Sequence, residues 1–472
     1  MKYFTATLTL SLCVGLSVSA QPQDRAPTTF AIQDARVVPV SGPVLERGTV
    51  VIRDGLIAAV GVDAEIPSGA WIVPGEGLTV YPGFTDALSG WGLPNQAGNQ
   101  GGGRGGAPQG QTQGPGRGGQ PQPRSTSALD RPATTTWVKA ADEFELQDEL
   151  RHRLHRAGFT TAVVFPQTGI FGGEGSIMSL GEGEKRDSVI DPAAGQYVTM
   201  NSSGNGYPGS LMGTISYVRQ VFLDAEHYQR VAEDYARDPR GKKRPEYDRA
   251  LDGLIGTKRV LLPANRKVEI ERMVRFSEEP GYPVILYGMR EGYRAVESLK
   301  EAGLPVLVSL DWPEKPKDPD PEAVETIRTL EDRDQAPAVP GMLAAAGVKF
   351  AFYSAGKDQT NDLTDAVKKA ISKGLSREDA IRALTLSPAE IYGVDDRLGS
   401  IEPGKIANLT VTRGDAFADG TKVEMVFIDG VQLTPPPEPQ RPKPDPAKPD
   451  PAKPDPAKPE PAEDRGTKEA VR

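Results

Sequence analysis

The stretch Tyr81–Gly90, YPGFTDALSG, marks the point where this chain changes character. Upstream of it, residues 28–81 are rich in β-branched side chains in short runs broken by glycine and proline: AIQDARVVPV, GTVVIRDGLIAAVG and AWIVPGEGLTVYPG. Alternation punctuated by turns such as Arg53-Asp54-Gly55 predicts antiparallel strands and hairpins. Downstream, residues 82–399 alternate short apolar strands with amphipathic helices, the pattern of an α/β barrel. Strands are predicted at GFTDAL, Thr160–Pro166, Gln196–Met200, Arg259–Ala264, Pro283–Gly288, Pro305–Leu310 and Lys349–Ser354. That makes seven, and periodicity does not locate an eighth. Helices are predicted at Thr136–Ala157 and Ser210–Ala236, the second with Leu211, Ile215, Val218, Phe222 and Ala225 on one stripe. Two further strands near Ala407–Thr412 and Val423–Leu433 suggest that residues 28–81 and 400–434 together form a small β-sandwich.

The expected fold is therefore α/β: a distorted (β/α)8 barrel of the TIM type, with a sandwich built from both ends of the chain. At 472 residues, 38% of them hydrophobic, the chain can bury a core of that size. A net charge of −9 argues against non-specific attraction to nucleic acid. Residues 1–20 read as a cleaved signal peptide: a lysine near the start, an apolar run from Leu8 to Val18, then Ser19 and Ala20. No other run approaches the roughly 20 apolar residues of a membrane span, so a periplasmic or secreted protein without membrane insertion is expected. The only cysteine, Cys13, lies in that leader, which leaves the mature chain no thiol for a disulfide or a metal. Residues 95–124, almost entirely Gly, Gln, Pro and Arg, read as a disordered insert, and residues 435–472, with repeated DPAKP, as a proline-rich tail.

Near the far end, Ala383–Asp415, ALTLSPAEIYGVDDRLGSIEPGKIANLTVTRGD, closely resembles the closing signature of the amidohydrolase superfamily, within its imidazolonepropionase-like group. RLGSIEPG is the most specific part, and GTVVIRDGLIAAVG and YPGFTD match the front. The resemblance implies the same barrel and sandwich, and descent from hydrolases of carbon–nitrogen bonds other than peptide bonds. It also implies a divalent metal, which would lower the pKa of a bound water and polarise the scissile carbonyl. The ligands implied are two histidines after the first strand, one each from the fifth and sixth, and an aspartate after the eighth. Matched onto this sequence, those positions fall on Leu88 and Gly90, on Pro263, on Tyr287, and on Ser354 or Ala355. The whole chain has three histidines, His152, His155 and His227, where that site needs four. No metal cofactor is expected on this reading.

Other residues are candidates for residual chemistry. Asp86, kept from the motif, could act catalytically or accept backbone hydrogen bonds at the barrel mouth. Glu174, in the glycine-rich FGGEGS read as a loop after the second strand, could be a general base, and its loop could cradle an anion. With Asp311 these two are the candidate catalytic carboxylates, or an oxygen-ligand site for calcium or magnesium. Asn265, Arg266, Tyr287, Arg290 and Ser354 follow strand ends and are candidates for binding a small polar ligand. His152 and His155, three apart, could pair on a metal, although Arg151, Arg153 and Arg156 flank them. His227 is expected on the solvent face of its helix. Tyr197, Tyr207, Tyr217 and Tyr228 are expected to pack in the core and rim. The leading expectation is a binding or structural pseudoenzyme. The alternatives are a hydrolase of small cyclic amides working through carboxylates and an envelope assembly component displayed through the proline tail.

Overall fold

The computed structural model describes residues 28–94, 128–183, 185–201, 206–279, 281–315, 324–357 and 360–437. The expected signal peptide, the glycine- and glutamine-rich insert and nearly all of the proline-rich tail lie outside these residues.

The chain opens with five strands, β1 (Thr29–Val37), β2 (Leu45–Arg53), β3 (Leu56–Gly61), β4 (Trp71–Pro74) and β5 (Leu78–Pro82). Eight more follow: β6 (Phe84–Ser89), β7 (Phe159–Val164), β8 (Phe171–Ser179), β9 (Val189–Val198), β10 (Val260–Ala264), β11 (Val284–Gly288), β12 (Val306–Ser309) and β13 (Phe350–Tyr353). The last three are β14 (Leu409–Arg413), β15 (Val423–Ile428) and β16 (Val431–Leu433). Strands from the two ends form one sheet in the order β16-β15-β14-β5-β1-β2-β3, with β4 also paired to β1. The segments from both ends of the chain thus share a single hydrogen-bonded sheet. β1 makes this possible by changing partner: Phe30–Gln33 pair with β4, and after register shifts near Ala35, Arg36 and Val37 pair with β5. Bulges of this kind bend a strand, and the sheet gathers Ile32, Val37, Val50, Ile52, Val80, Leu409 and Phe427 into its own apolar cluster.

The strands β6 to β13 form the barrel sheet in strict chain order. Helices follow several of them, as at Lys267–Phe276 after β10 and Val296–Ala302 after β11. The eighth barrel strand, missing from the sequence reading, is β8, and it contains the FGGEGS stretch that was expected to be a loop. Glycine disfavours strands, so the pattern pointed away from one. The contacts explain the exception. A Cβ at Gly172 would lie 2.0 Å from the Pro166 carbonyl oxygen and one at Gly175 2.2 Å from the Phe165 ring. β8 can therefore occupy its place only without side chains at these positions. It runs antiparallel to both β7 and β9, whereas the remaining barrel pairs are parallel.

Between β13 and β6 no backbone ladder forms among the described strands. The side chain of Asp86 bridges this seam: its Oδ1 accepts from the Ser354 amide at 3.0 Å and from the Leu88 amide at 3.2 Å. Tyr392 Oη donates to the Ala87 carbonyl at 2.7 Å from the helix Leu386–Tyr392. The barrel is fastened to the other sheet by Asn408, whose Nδ2 donates to Thr161 Oγ1 at 3.2 Å and whose carbonyl accepts from Gly83 N at 2.8 Å. RLGSIEPG does related work: Arg397 Nη1 donates to the Ile190 carbonyl and Gly404 N to the Ile57 carbonyl, so one short segment ties β9 to β3.

Two helix expectations need correction. Thr136–Ala157 is two helices, Ala140–Glu143 and Asp148–Arg156. Between them Phe144 and Leu146 turn into the core and Glu145 N donates to the Gly92 carbonyl, which holds the backbone extended. The helix Leu211–Arg237 forms as expected, capped by Ser210, and buries Val218, Phe222 and Ala225, but Leu211 in its first turn is exposed. No helix among the described residues is long and apolar enough to cross a membrane.

Candidate functional site

Strand alternation decides which side chains reach the inside of the barrel. Phe165, Tyr197, Leu261, Ile285, Tyr287, Leu307, Ala351 and Tyr353 belong to one interior cluster. At the C-terminal ends of the strands this interior opens into a cavity of about 720 Å3. Its inner wall is Leu88, Tyr197, Tyr287 and Tyr353, and Gly90, Trp91, Ala355 and Gly356 line it on the loops after β6 and β13. Its outer rim carries Glu143, Glu145, Gln147, Glu149 and Arg153. A second cavity of about 580 Å3 shares Tyr197 and Tyr287 with the first and adds Thr199, Pro263, Asn265, Glu269 and Arg272.

The three tyrosines are an ordered group. Tyr197 and Tyr287 stack with centroids 5.1 Å apart and an interplanar angle of 27°, and Tyr353 stands at 86° to Tyr287 with a centroid separation of 6.5 Å. Tyr287 Oη donates to the Val198 carbonyl at 3.0 Å. Burial pushes the Tyr287 phenol well above its ordinary value, and the neighbouring Tyr197 reinforces this. Burial raises Tyr197 and Tyr353 in the same sense, so all three rings stay neutral.

The residues matched to ligand positions thus come together: Leu88, Gly90, Tyr287 and Ala355 line one cavity, and Pro263 lines its neighbour. None offers an imidazole, thiolate or carboxylate, and a phenol held neutral is a poor substitute, so these residues do not fit a divalent ion. Nor do the three candidate carboxylates meet, since no three His, Cys, Asp or Glu side chains among the described residues form a group able to hold a metal ion.

Asp86 is 1% exposed and forms part of neither cavity lining. Its carboxyl is pushed up to about 7 by burial, against the hydrogen bonding of Ser354 and the Leu88 amide, which favours the charged form. Asp86 Oδ2 and Ser354 Oγ are both buried without a well-formed hydrogen bond. Glu174 corrects the expectation of an active-face loop. It is paired in register with Gln196, next to the inward-facing Tyr197, and so points to the outer side of the barrel sheet. There it accepts from Gly195 N at 3.1 Å and Gln196 Nε2 at 3.0 Å, and burial raises its pKa. Asp311 is half-exposed, 3.5 Å from Lys357 Nζ.

Among the candidate ligand-binding residues, Asn265 lines the second cavity. Arg266 is exposed and bonds Glu269 at 2.8 Å, at the start of the helix Lys267–Phe276. Arg290 is exposed and forms part of neither cavity lining. The histidine pair is also resolved. His155 is buried with Nε2 2.8 Å from the Leu180 carbonyl, and burial lowers its pKa to about 4. His152 is half-buried on the same helix, and His227 is exposed. Tyr197 was expected only as packing but walls the cavity. Trp91, Tyr353 and the three rim glutamates were not singled out by sequence at all. For Tyr353 the available clue was its place at the end of a strand, the same place that Tyr287 holds in its own.

The amidohydrolase family profile matches residues 293–433, which include the closing signature. The fold is close to that of a crystallised amidohydrolase from Thermotoga maritima, with a TM-score of 0.68 and 25% identity over 86% of this chain and 99% of that one. The chain belongs to the amidohydrolase superfamily. Short stretches of sequence also match two curated proteins. N-acetylglucosamine-6-phosphate deacetylase of Haemophilus influenzae is 42% identical over 62 residues, 13% of this chain and 16% of that protein. Adenine deaminase of Moorella thermoacetica is 35% identical over 71 residues, 15% of this chain and 11% of that protein. The matched stretches thus span less than a fifth of either relative. The barrel mouth of this chain presents aromatic and apolar side chains and backbone, beneath a rim of charged and polar side chains.

Proposed function

We propose that this amidohydrolase is a binding protein that has lost the metal site of its ancestors, and that its ligand enters the C-terminal mouth of the barrel. One observation carries the reading: the positions matched to metal ligands meet at the mouth as Leu88, Gly90, Tyr287 and Ala355. Activation of water by a metal needs a ligand set that holds the ion with an open coordination position. The chain's three histidines support the same reading, because His155 is turned to a carbonyl and His227 is on the surface.

Hydrolysis by the carboxylates alone gains little support from their positions. Asp86 is sealed beneath the cavity wall, Glu174 faces outward, and Asp311 stands beside a lysine. By its leader-like residues 1–20 the protein is proposed to act outside the cytoplasm.

The test is elemental analysis of the purified protein together with a hydrolysis screen on N-acetylated amino sugars, aminopurines and cyclic imides. The expected result is metal well below one ion per chain and no turnover, with or without added zinc. Stoichiometric metal, or turnover abolished by a chelator, refutes the proposal.

A further inference from the structure

The mouth has a chemical bias that its shape alone does not require. Its rim carries three carboxylates, Glu143, Glu145 and Glu149, and one basic side chain, Arg153. Arg153 Nη1 lies 3.0 Å from Glu149 Oε1, so those two charges largely cancel. Glu143 and Glu145 have no cationic partner among the described residues. Below this negative rim, the walls include Tyr287 and Tyr353, whose rings stand at 86° to each other, and Tyr197, stacked on Tyr287. Trp91 also lines the cavity and is 6% exposed.

Each part selects in the same direction. The ring faces of neutral tyrosines and of tryptophan attract a cation through their quadrupoles, most strongly where water is excluded. Uncompensated carboxylates at an entrance raise the local concentration of cations and repel anions.

We infer that the barrel mouth binds a small organic cation, an amine or quaternary ammonium, seated against Tyr287 and Tyr353 beneath Glu143 and Glu145. This rests on the reading of the mouth as a binding site and adds the class of its ligand.

Calorimetry on the purified full chain separates the two. The probes are choline, its neutral isostere 3,3-dimethylbutanol and the anion 3,3-dimethylbutanoate. Choline is expected to bind at least about tenfold tighter than the alcohol, the size of a desolvated cation–π contribution. The anion is expected to give no heat. The double variant Glu143→Gln/Glu145→Gln, at two exposed positions, is expected to weaken choline about threefold or more and leave the alcohol unchanged. That difference should shrink in about 0.5 M salt, as for any solvent-exposed charge interaction. Tyr353→Leu is expected to weaken choline about tenfold. Equal or tighter binding of the alcohol or the anion overturns the cation assignment while leaving a binding mouth. Absence of heat with choline also overturns it. Failure of the underlying reading would show separately, as bound metal and turnover in the screen described above.

Discussion

Replacing Asp86 by Asn should make this protein more stable, and increasingly so as the pH rises. The carboxyl is pushed from 3.8 to about 7 by its burial. At about 1.4 kcal/mol per unit, the native state therefore disfavours the ionised form by about 4 kcal/mol. The direction follows from proton counting. Between pH 4 and pH 7 the folded chain keeps a proton at Asp86 that the unfolded chain has lost. Stability from this group is thus fully present below pH 4, falls as pH rises toward 7, and levels off once both states are ionised. Asparagine keeps an oxygen for the Ser354 and Leu88 amides, and its new N–H groups meet the buried Ser354 hydroxyl, which has no well-formed partner. It has no charge to desolvate. Urea unfolding of both proteins, followed by tryptophan fluorescence at several values between pH 5 and pH 8, isolates the effect, because groups common to both cancel in the difference. The stability advantage of Asp86→Asn should grow by about 2 to 3 kcal/mol across that interval. A difference that is flat with pH, or that moves the other way, refutes the argument that this seam carboxyl is stored neutral.

Two further outcomes follow from buried geometry. His155, lowered to about 4, is neutral in the fold while the unfolded chain takes up a proton below about 6.5. Its stabilising contribution is therefore present above pH 6.5 and lost as pH falls toward 4. In His155→Gln, which can still donate to the Leu180 carbonyl, the acid limb of a stability profile should be shallower by about 2 to 3 kcal/mol; an unchanged limb would count against a buried neutral imidazole. Gly175→Ala puts a methyl group 2.2 Å from the Phe165 ring, and overpacking of this kind costs about 1 to 3 kcal/mol. Its melting temperature should drop by several degrees, and a wild-type value would mean that β8 does not lie against Phe165 as described.

The strands at Val260–Ala264, Val284–Gly288 and Val306–Ser309 are short buried runs between turn signals, and sequence placed them close to where they lie. β8 stayed hidden because its glycines are dictated by Phe165 and Pro166, residues that meet it only once the sheet forms. Glu174 was misplaced for the same reason, since one step of register separates it from the inward face where Tyr197 lies. The count of three histidines by itself bounds what the mouth can hold, because ligand number is a property of composition.

Local pattern and composition thus determined the α/β barrel, the involvement of both chain ends in one β unit, and the count of three histidines. These depend on periodicity and residue type, which a linear string carries in full. Only the tertiary structure decided that Leu88, Tyr287 and Ala355 share a cavity with Trp91 and Tyr353, that Glu143 and Glu145 overhang it, and that Asp86 closes a seam beneath it. Those facts rest on contacts between residues up to 268 positions apart, and the physics that sets them, close packing and the desolvation of polar groups, acts only after the chain has folded.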